Sequence, residues 1–154
     1  MRPPHVYTDT SAIGGYLDAE FRHGSVPLFQ AFAAGRLVLV LSDLTRLELE
    51  RAPQAVRDVL ELVPEPLRRT VEFTSEANEL AEAYIRDGVI GSGMRTDARH
   101  IATATVHRVD VLVSWNFKHI VNLPRIHGYN SVNLRLGYPV LEIRTPREVL
   151  SDEG

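Results

Sequence analysis

The sequence predicts an α/β protein, with three layers (α/β/α) around a central, mostly parallel sheet. Three observations predict it. Leu37 to Leu41 is an unbroken aliphatic run, and Val-Leu-Val recurs inside 110–114, as expected of strands covered on both faces. Segments with apolar residues at helical spacing lie between such runs. Strands alternating with helices build a parallel sheet with helices packed on both faces.

The elements follow in order. His5 to Asp9 reads as a short strand ending in an acid, and Thr10 to Glu20 as a helix with Ile13, Tyr16 and Leu17 on one face. Val26 to Ala34 is a second helix, and Gly35 stands where a helix stops. After the strand Leu37 to Leu41, Ser42 or Asp43 caps a helix carrying Leu44, Leu47 and Glu48. Pro53 opens a helix with Val56, Val59, Leu60 and Val63 at helical spacing, ended by Pro64-Glu65-Pro66. Thr70 to Phe73 is a brief strand. Ser75 caps a helix to about Arg86, with Asn78 where a capping box has Glu or Gln. Residues 87–94 form a glycine-punctuated loop, and helix 96–107 and strand 110–114 follow. Pro124, Gly128 and Gly137 make 121–138 read as mostly irregular. Pro139 to Ile143 is a last strand, at an edge because proline cannot donate to the ladder.

The chain shows no repeat, low-complexity tract or linker, so residues 1–150 read as one domain and 151–154 as a short C-terminal tail. Its 154 residues are enough for a substantial core. With 44% hydrophobic and 24% charged residues, it falls outside the disordered and fibrous classes. No apolar run approaches the roughly 18 residues of a membrane span, and Met1 to His5 leads into a strand without a signal-peptide core. The absence of cysteine excludes disulfides and thiolate metal sites and fits a cytoplasmic protein. A net charge of −3 argues against a broad nucleic-acid-binding surface. Of the 17 basic residues only Lys118 is a lysine. Arginine forks match phosphate geometry, but genomic base composition produces the same bias.

Chemistry collects outside the carboxyl ends of parallel strands, and four residues of the right type stand at such positions. Asp9 closes the first strand; as an N-cap it can also serve as a ligand or a nucleophile. A phosphoryl-accepting Asp of the haloacid-dehalogenase kind wants a second Asp two residues on, where this chain has Ser11. Glu48 lies about one turn into the helix after the second strand; taken alone it reads as a solvated helix acid, and its apolar neighbours Leu44 and Leu47 argue for an inward direction. Asp97 opens the helix carrying Ile101, Ala102 and Ala104, where its charge also suits the helix N-terminus. Asn116 follows the strand at 110–114, as a turn residue or as a neutral oxygen ligand. Ser114 and Thr10 could add hydroxyls at the same rim. Oxygen ligands of this kind select Mg²⁺ or Mn²⁺. His100, His107, His119 and His127 lack zinc spacing. His100 reads as a partly buried helix residue, and Lys118 and His119 as surface positions able to meet phosphates. Gly91-Ser92-Gly93 lacks the continuation of a phosphate loop, and neither a G-x-S-x-G elbow nor a cysteine nucleophile is present.

Three segments together resemble the PIN-domain proteins, in particular the VapC-like toxins of bacterial type II toxin–antitoxin pairs. They are Tyr-Thr-Asp-Thr-Ser around Asp9, Leu-Ser-Asp-Leu-Thr-Arg-Leu-Glu-Leu-Glu-Arg around Glu48, and Asp-Ala-Arg-His-Ile-Ala-Thr-Ala with Val-Leu-Val-Ser-Trp-Asn-Phe-Lys-His-Ile around Asp97 and Asn116. The resemblance implies a PIN-like fold, Mg²⁺ or Mn²⁺, hydrolysis of RNA phosphodiester bonds, a small antitoxin partner and a homodimer. Asp9, Glu48 and Asp97 fall on the three core acids, and Asn116 on a position where many members carry a fourth. The alternative is a PIN-like module that binds RNA or protein without cleaving. For a dimer the sequence offers Phe29, Phe32, Val59 and Leu62, which equally suit the core.

Overall fold

Five short strands form one all-parallel sheet in the order β3-β2-β1-β4-β5: β1 (His5–Thr8), β2 (Val38–Ser42), β3 (Arg68–Val71), β4 (Val111–Val113) and β5 (Ile143–Arg144). The structure is a computed structural model and describes residues 2–153. Its helices are α1 (Thr10–Gly14), α2 (Arg22–Ala33), α3 (Asp43–Glu50), α4 (Gln54–Leu60), α5 (Ser75–Arg86), α6 (Arg95–Val106), α7 (Leu123–Arg135) and α8 (Pro146–Glu153). Among the described residues no helix is long and apolar enough to cross a membrane.

Side chains alternate between the faces of a strand, and this sheet buries both faces. Tyr7, Val40, Leu112 and Ile143 pack with Leu80 and Tyr84 of α5, Ile101 of α6 and Tyr129 and Val132 of α7. Val6, Leu39, Leu41, Val111 and Val113 pack on the other side with Ile13, Phe29, Phe32, Leu49, Val59 and Val149. The result is the three-layer α/β/α architecture expected from the sequence.

The register positions the site. From β1 the chain moves outward to β2 and β3, then returns to β4 on the other side of β1. Strand order therefore reverses beside β1, and a crevice opens where the carboxyl ends of β1 and β4 diverge. Trp115, just beyond β4, locks this end. Its ring stacks on Phe21 with centroids 4.7 Å apart, and its Nε1–H donates to Ser25 Oγ at 2.9 Å. Gly15 and Gly24 leave room for it, since a Cβ at either would lie 2.7 Å from an indole atom.

Several element boundaries differ from the sequence reading. Helix 10–20 ends at Gly14 and tightens into a 3₁₀ turn over Gly15–Leu17. α2 starts at Arg22 and carries Pro27 inside it. Thr74, not Ser75, caps α5 by accepting from the Ala77 N–H at 3.1 Å. β3 lies two residues early, and β5 spans only two residues.

The larger correction is α7, in the stretch read as irregular. Asn122 caps it by accepting from the Arg125 N–H at 3.0 Å, and Pro124 sits in its first turn, where proline is tolerated. Gly128 is no breaker here: a Cβ would meet Val89 Cγ1 at 2.7 Å, so packing between α7 and the 87–94 loop requires its absence. Gly137, at φ +88°, ends the helix. α8 has a reciprocal capping box: Glu148 N–H donates to Thr145 Oγ1 at 3.1 Å, and Thr145 N–H to Glu148 Oε1 at 2.9 Å. Residues 151–153, set apart as a tail above, form the end of this helix. Phe29, Phe32 and Val59 are core residues, and Leu62 is exposed.

An alanine in place of a helix-interior glycine ordinarily gains up to about 1 kcal/mol, whereas overpacking a core costs about 1–3 kcal/mol. Gly24→Ala is therefore expected to lower the melting temperature, because its methyl group enters the Trp115 ring. Thermal unfolding followed by circular dichroism checks the sign. A rise would mean that the indole moves aside at no cost.

Candidate active site

Asp9, one residue past β1, is the most enclosed acid. Its backbone is extended, and its side chain caps α1. Oδ1 accepts from the Ala12 N–H at 3.0 Å and the Ser11 hydroxyl at 2.8 Å; Oδ2 accepts from the Ser114 hydroxyl at 2.6 Å. Ser114 follows β4, so this bond ties the two central strand ends together. Burial pushes the Asp9 carboxyl above its usual range, against the pull of Ser114, Ala12 and Ser11.

Glu48 projects from α3 toward the crevice, half-buried. The inward direction does not come from its expected apolar neighbours, since Leu47 is 59% exposed and the buried leucine of that turn is Leu49. It comes from hydrogen bonds. Glu48 Oε1 pairs with His100 Nε2 at 2.5 Å and accepts from the Thr10 hydroxyl at 3.1 Å. Burial alone would raise its carboxyl; the hydrogen bond and charge of His100, with Thr10, outweigh burial and hold it below the usual range.

Asp97 lies in the first turn of α6, half-buried. Burial raises its carboxyl; the neighbouring His100 and His119 oppose the rise, and the charge of Glu48 adds to it. Asn116 faces it with the amide nitrogen: Nδ2 lies 3.4 Å from Asp97 Oδ2, while Oδ1 accepts from the His119 N–H at 3.0 Å. The Asn116 oxygen is thus occupied in closing the turn after β4.

The fold therefore brings the four sequence candidates to one rim, where the buried ring of His100 holds Glu48 and acts by its charge on Asp9 and Asp97. The sequence reading passed over the role of that ring. Its signal is spacing, because His100 follows Asp97 by three residues and so shares its helix face. Ser114 supplies a hydroxyl at the rim, to Asp9; Thr10 supplies one to Glu48 rather than to its neighbour. His107 lies elsewhere, its Nε2 2.7 Å from the Glu72 carbonyl. Gly91-Ser92-Gly93 leads into a 3₁₀ turn over Ser92–Met94 just before α6.

By donor type the acids fit a hard divalent cation. Asp9 Oδ2 has one hydrogen-bond donor, and no described residue donates to Glu48 Oε2 or Asp97 Oδ1, so each carboxylate keeps a lone pair open. Their grouping is looser: among the described residues no three His, Cys, Asp or Glu side chains stand together closely enough to hold a metal ion. The hydrogen bond to His100 engages Glu48 instead.

No known family profile and no curated protein matches this chain. Solved structures do. The chain is similar to the Mycobacterium tuberculosis toxin VapC20, described as cleaving the sarcin–ricin loop, at 16% identity, over 73% of this chain and 91% of that one, with a TM-score of 0.52. It is similar to VapBC2 of Rickettsia felis, bound to a DNA fragment from its promoter, at 12% identity over 92% and 98% of the chains, TM-score 0.57. It is also similar to FitAcB of Neisseria gonorrhoeae, at 16% identity over 92% and 97%, TM-score 0.57. The chain has the PIN-like, VapC-type fold.

Raised carboxyl pKa values make Asp9 and Asp97 a liability to folding. A folded-state pKa above the unfolded value means a penalty present in full above the folded pKa and relieved as pH falls through it. Asp97→Asn is expected to raise the melting temperature of the metal-free protein at pH 7, with a gain that shrinks toward pH 4. Differential scanning fluorimetry from pH 4 to 8 measures this, and a pH-independent effect would assign the change to packing.

Proposed function

We propose that this chain is a metal-dependent endoribonuclease, the toxin of a type II toxin–antitoxin pair, acting in the cytoplasm on RNA phosphodiester bonds. One observation carries the reading: Asp9, Glu48 and Asp97 line the carboxyl edge of a PIN-like sheet, Glu48 hydrogen-bonded to His100 and the two aspartates within reach of its charge. The three structural neighbours, which include a ribonuclease toxin and a toxin–antitoxin complex, support it.

Asp9, Glu48 and Asp97 would hold Mg²⁺ or Mn²⁺. Such an ion supplies Lewis acidity, lowering the pKa of a coordinated water and neutralising phosphate charge. The chain's own residues do the rest. Ser114, Ser11 and the Ala12 N–H fix the Asp9 carboxylate by three hydrogen bonds. Asn116 donates toward Asp97 and lends the rim no negative charge, so a single ion is the expected stoichiometry. Exposed Lys118 and half-buried His119 stand beside the rim, where a phosphate backbone would pass. A small antitoxin protein and a second copy of the chain are the proposed partners, with exposed Leu47, Leu62, Phe117 and Leu123 as apolar surface open to them.

A second reading, a non-catalytic module that binds RNA or protein, is favoured by Asn116 at the fourth position and by the loose grouping of the acids. Incubation of a mixed RNA pool with Mn²⁺, Mg²⁺ or EDTA separates the two. Wild type is expected to cleave only with metal, and Asp9→Asn and Asp97→Asn to lose at least about a hundredfold in rate. Folded wild type that cleaves nothing with either ion favours the binding module. Cleavage surviving both substitutions means that these acids are not the active site.

Metal should also stabilise the fold. At 100 times its dissociation constant, Mn²⁺ adds about 2.7 kcal/mol. Wild type is expected to melt several degrees higher in millimolar Mn²⁺ and Asp97→Asn to respond less. Equal melting curves with and without Mn²⁺ for wild type contradict a metal site.

A further inference from the structure

His100 is 3% exposed, and both of its ring nitrogens are engaged. Nε2 faces Glu48 Oε1 at 2.5 Å, and Nδ1 lies 2.7 Å from Tyr7 Oη. Tyr7 Oη in turn lies 2.6 Å from Ser42 Oγ, which accepts from the Thr45 N–H at 3.4 Å. Chemistry sets the direction of its last step. A carboxylate can only accept, so Nε2 carries the hydrogen toward Glu48. With the ring neutral, Nδ1 accepts from the Tyr7 hydroxyl and Tyr7 accepts from Ser42, whose lone pair takes the Thr45 N–H; with the ring charged, Nδ1–H donates to Tyr7 and Tyr7 donates to Ser42. Either way the side chains of Ser42, Tyr7, His100 and Glu48 are joined in one line that links β2 through β1 to α6 and across to α3. Ser42, Tyr7, Thr45 and His100 are all buried, so the line is fixed by core packing at its start and emerges only at Glu48.

Glu48 needs such a hold more than the other acids do. Asp9 is fixed by three donors, one of them the backbone of its own cap. Glu48 sits on a longer side chain on an eight-residue helix, with one hydroxyl and one imidazole as its partners. We propose that His100 is a positioning residue: anchored through Tyr7 to Ser42, it holds the Glu48 carboxylate at the carboxyl edge of the sheet in the orientation that RNA cleavage uses. The proposal rests on the nuclease reading above.

The two ring nitrogens can be tested apart. An asparagine amide reaches about where Nδ1 stands, and a glutamine amide about where Nε2 stands. His100→Gln therefore keeps a donor to Glu48 and loses the anchor, whereas His100→Asn keeps a partner for Tyr7 and loses Glu48. The full-length variants, with Glu48→Gln and the double variant His100→Asn/Glu48→Gln, are assayed for kcat and KM on one RNA that wild type cleaves. Binding of Mn²⁺ alone is measured by calorimetry, and thermal stability is followed alongside. Loss of an outer residue that orients a ligand typically costs about 10–100-fold in metal affinity or activity. His100→Asn is expected to show a loss of that order in kcat and in Mn²⁺ affinity with KM little changed. His100→Gln should recover most of it, and the double variant should be no worse than Glu48→Gln. If His100→Asn and His100→Gln match each other in kcat and Mn²⁺ affinity and differ from wild type only in melting temperature, His100 is a packing residue and the proposal is overturned. Should neither variant fold, Tyr7→Phe cuts the line while leaving imidazole and carboxylate in place; a smaller fall in kcat supports the proposal, and wild-type kcat overturns it. Wild type that neither binds Mn²⁺ nor cleaves any RNA removes the nuclease reading and this proposal together. An active wild type that tolerates His100→Asn removes the positioning role alone.

Discussion

A carboxylate buried at the end of a central strand must have its lone pairs satisfied, and meeting that demand at Asp9 organises this end of the molecule. The Ala12 N–H starts α1 at a fixed angle, and Ser11 and Ser114 close over the two oxygens. Because Ser114 belongs to the segment after β4, the same group sets where that chain leaves the sheet. Trp115 follows at once, its N–H held by the Ser11 hydroxyl at 2.9 Å and its ring wedged between two glycines. Asn116 then turns toward Asp97. Strand pairing, helix start and rim geometry thus depend on one charged group placed where it costs stability, the trade expected when a site is maintained against the interests of the fold.

The architecture was legible because both its periodicities are written in the side chains. Aliphatic runs marked β2 and β4, helical spacing marked α4 and α6, and acids after strand ends marked the rim. What was not legible lay in tertiary contacts. Pro124 and Gly128 carry the local signature of a broken segment, and only the presence of Val89 makes Gly128 the right residue for a helix interior. Asn122 and Gly137 are the cap and stop of that helix, but Gly137 counted in the sequence with Pro124 and Gly128 as a mark of irregular chain. The helix read from Val26 starts four residues earlier, at Arg22, next to Phe21, whose ring stacks on Trp115.

The candidate site was legible as a list of acids and opaque as an arrangement. Sequence can place Asp9, Glu48 and Asp97 near the ends of their elements, but it cannot say which oxygen is already spent on a hydrogen bond. The structure spends Asn116 Oδ1 on the His119 N–H and one oxygen of Glu48 on His100. The histidine looked ordinary because its importance comes from Tyr7, a residue ninety-three positions away on another strand.

The two margins of the sheet carry a consequence of their own. β5 offers only two residues of ladder, and β3 opens with Arg68 and Arg69. Short or charged margins of this kind are poor templates for adding a further strand. The surface these margins leave for a companion polypeptide is that of the helices and loops, with the hydrogen-bonded ladder at its five strands. Recognition by such contacts is written in residue identity, so a few surface substitutions are enough to change which companion fits.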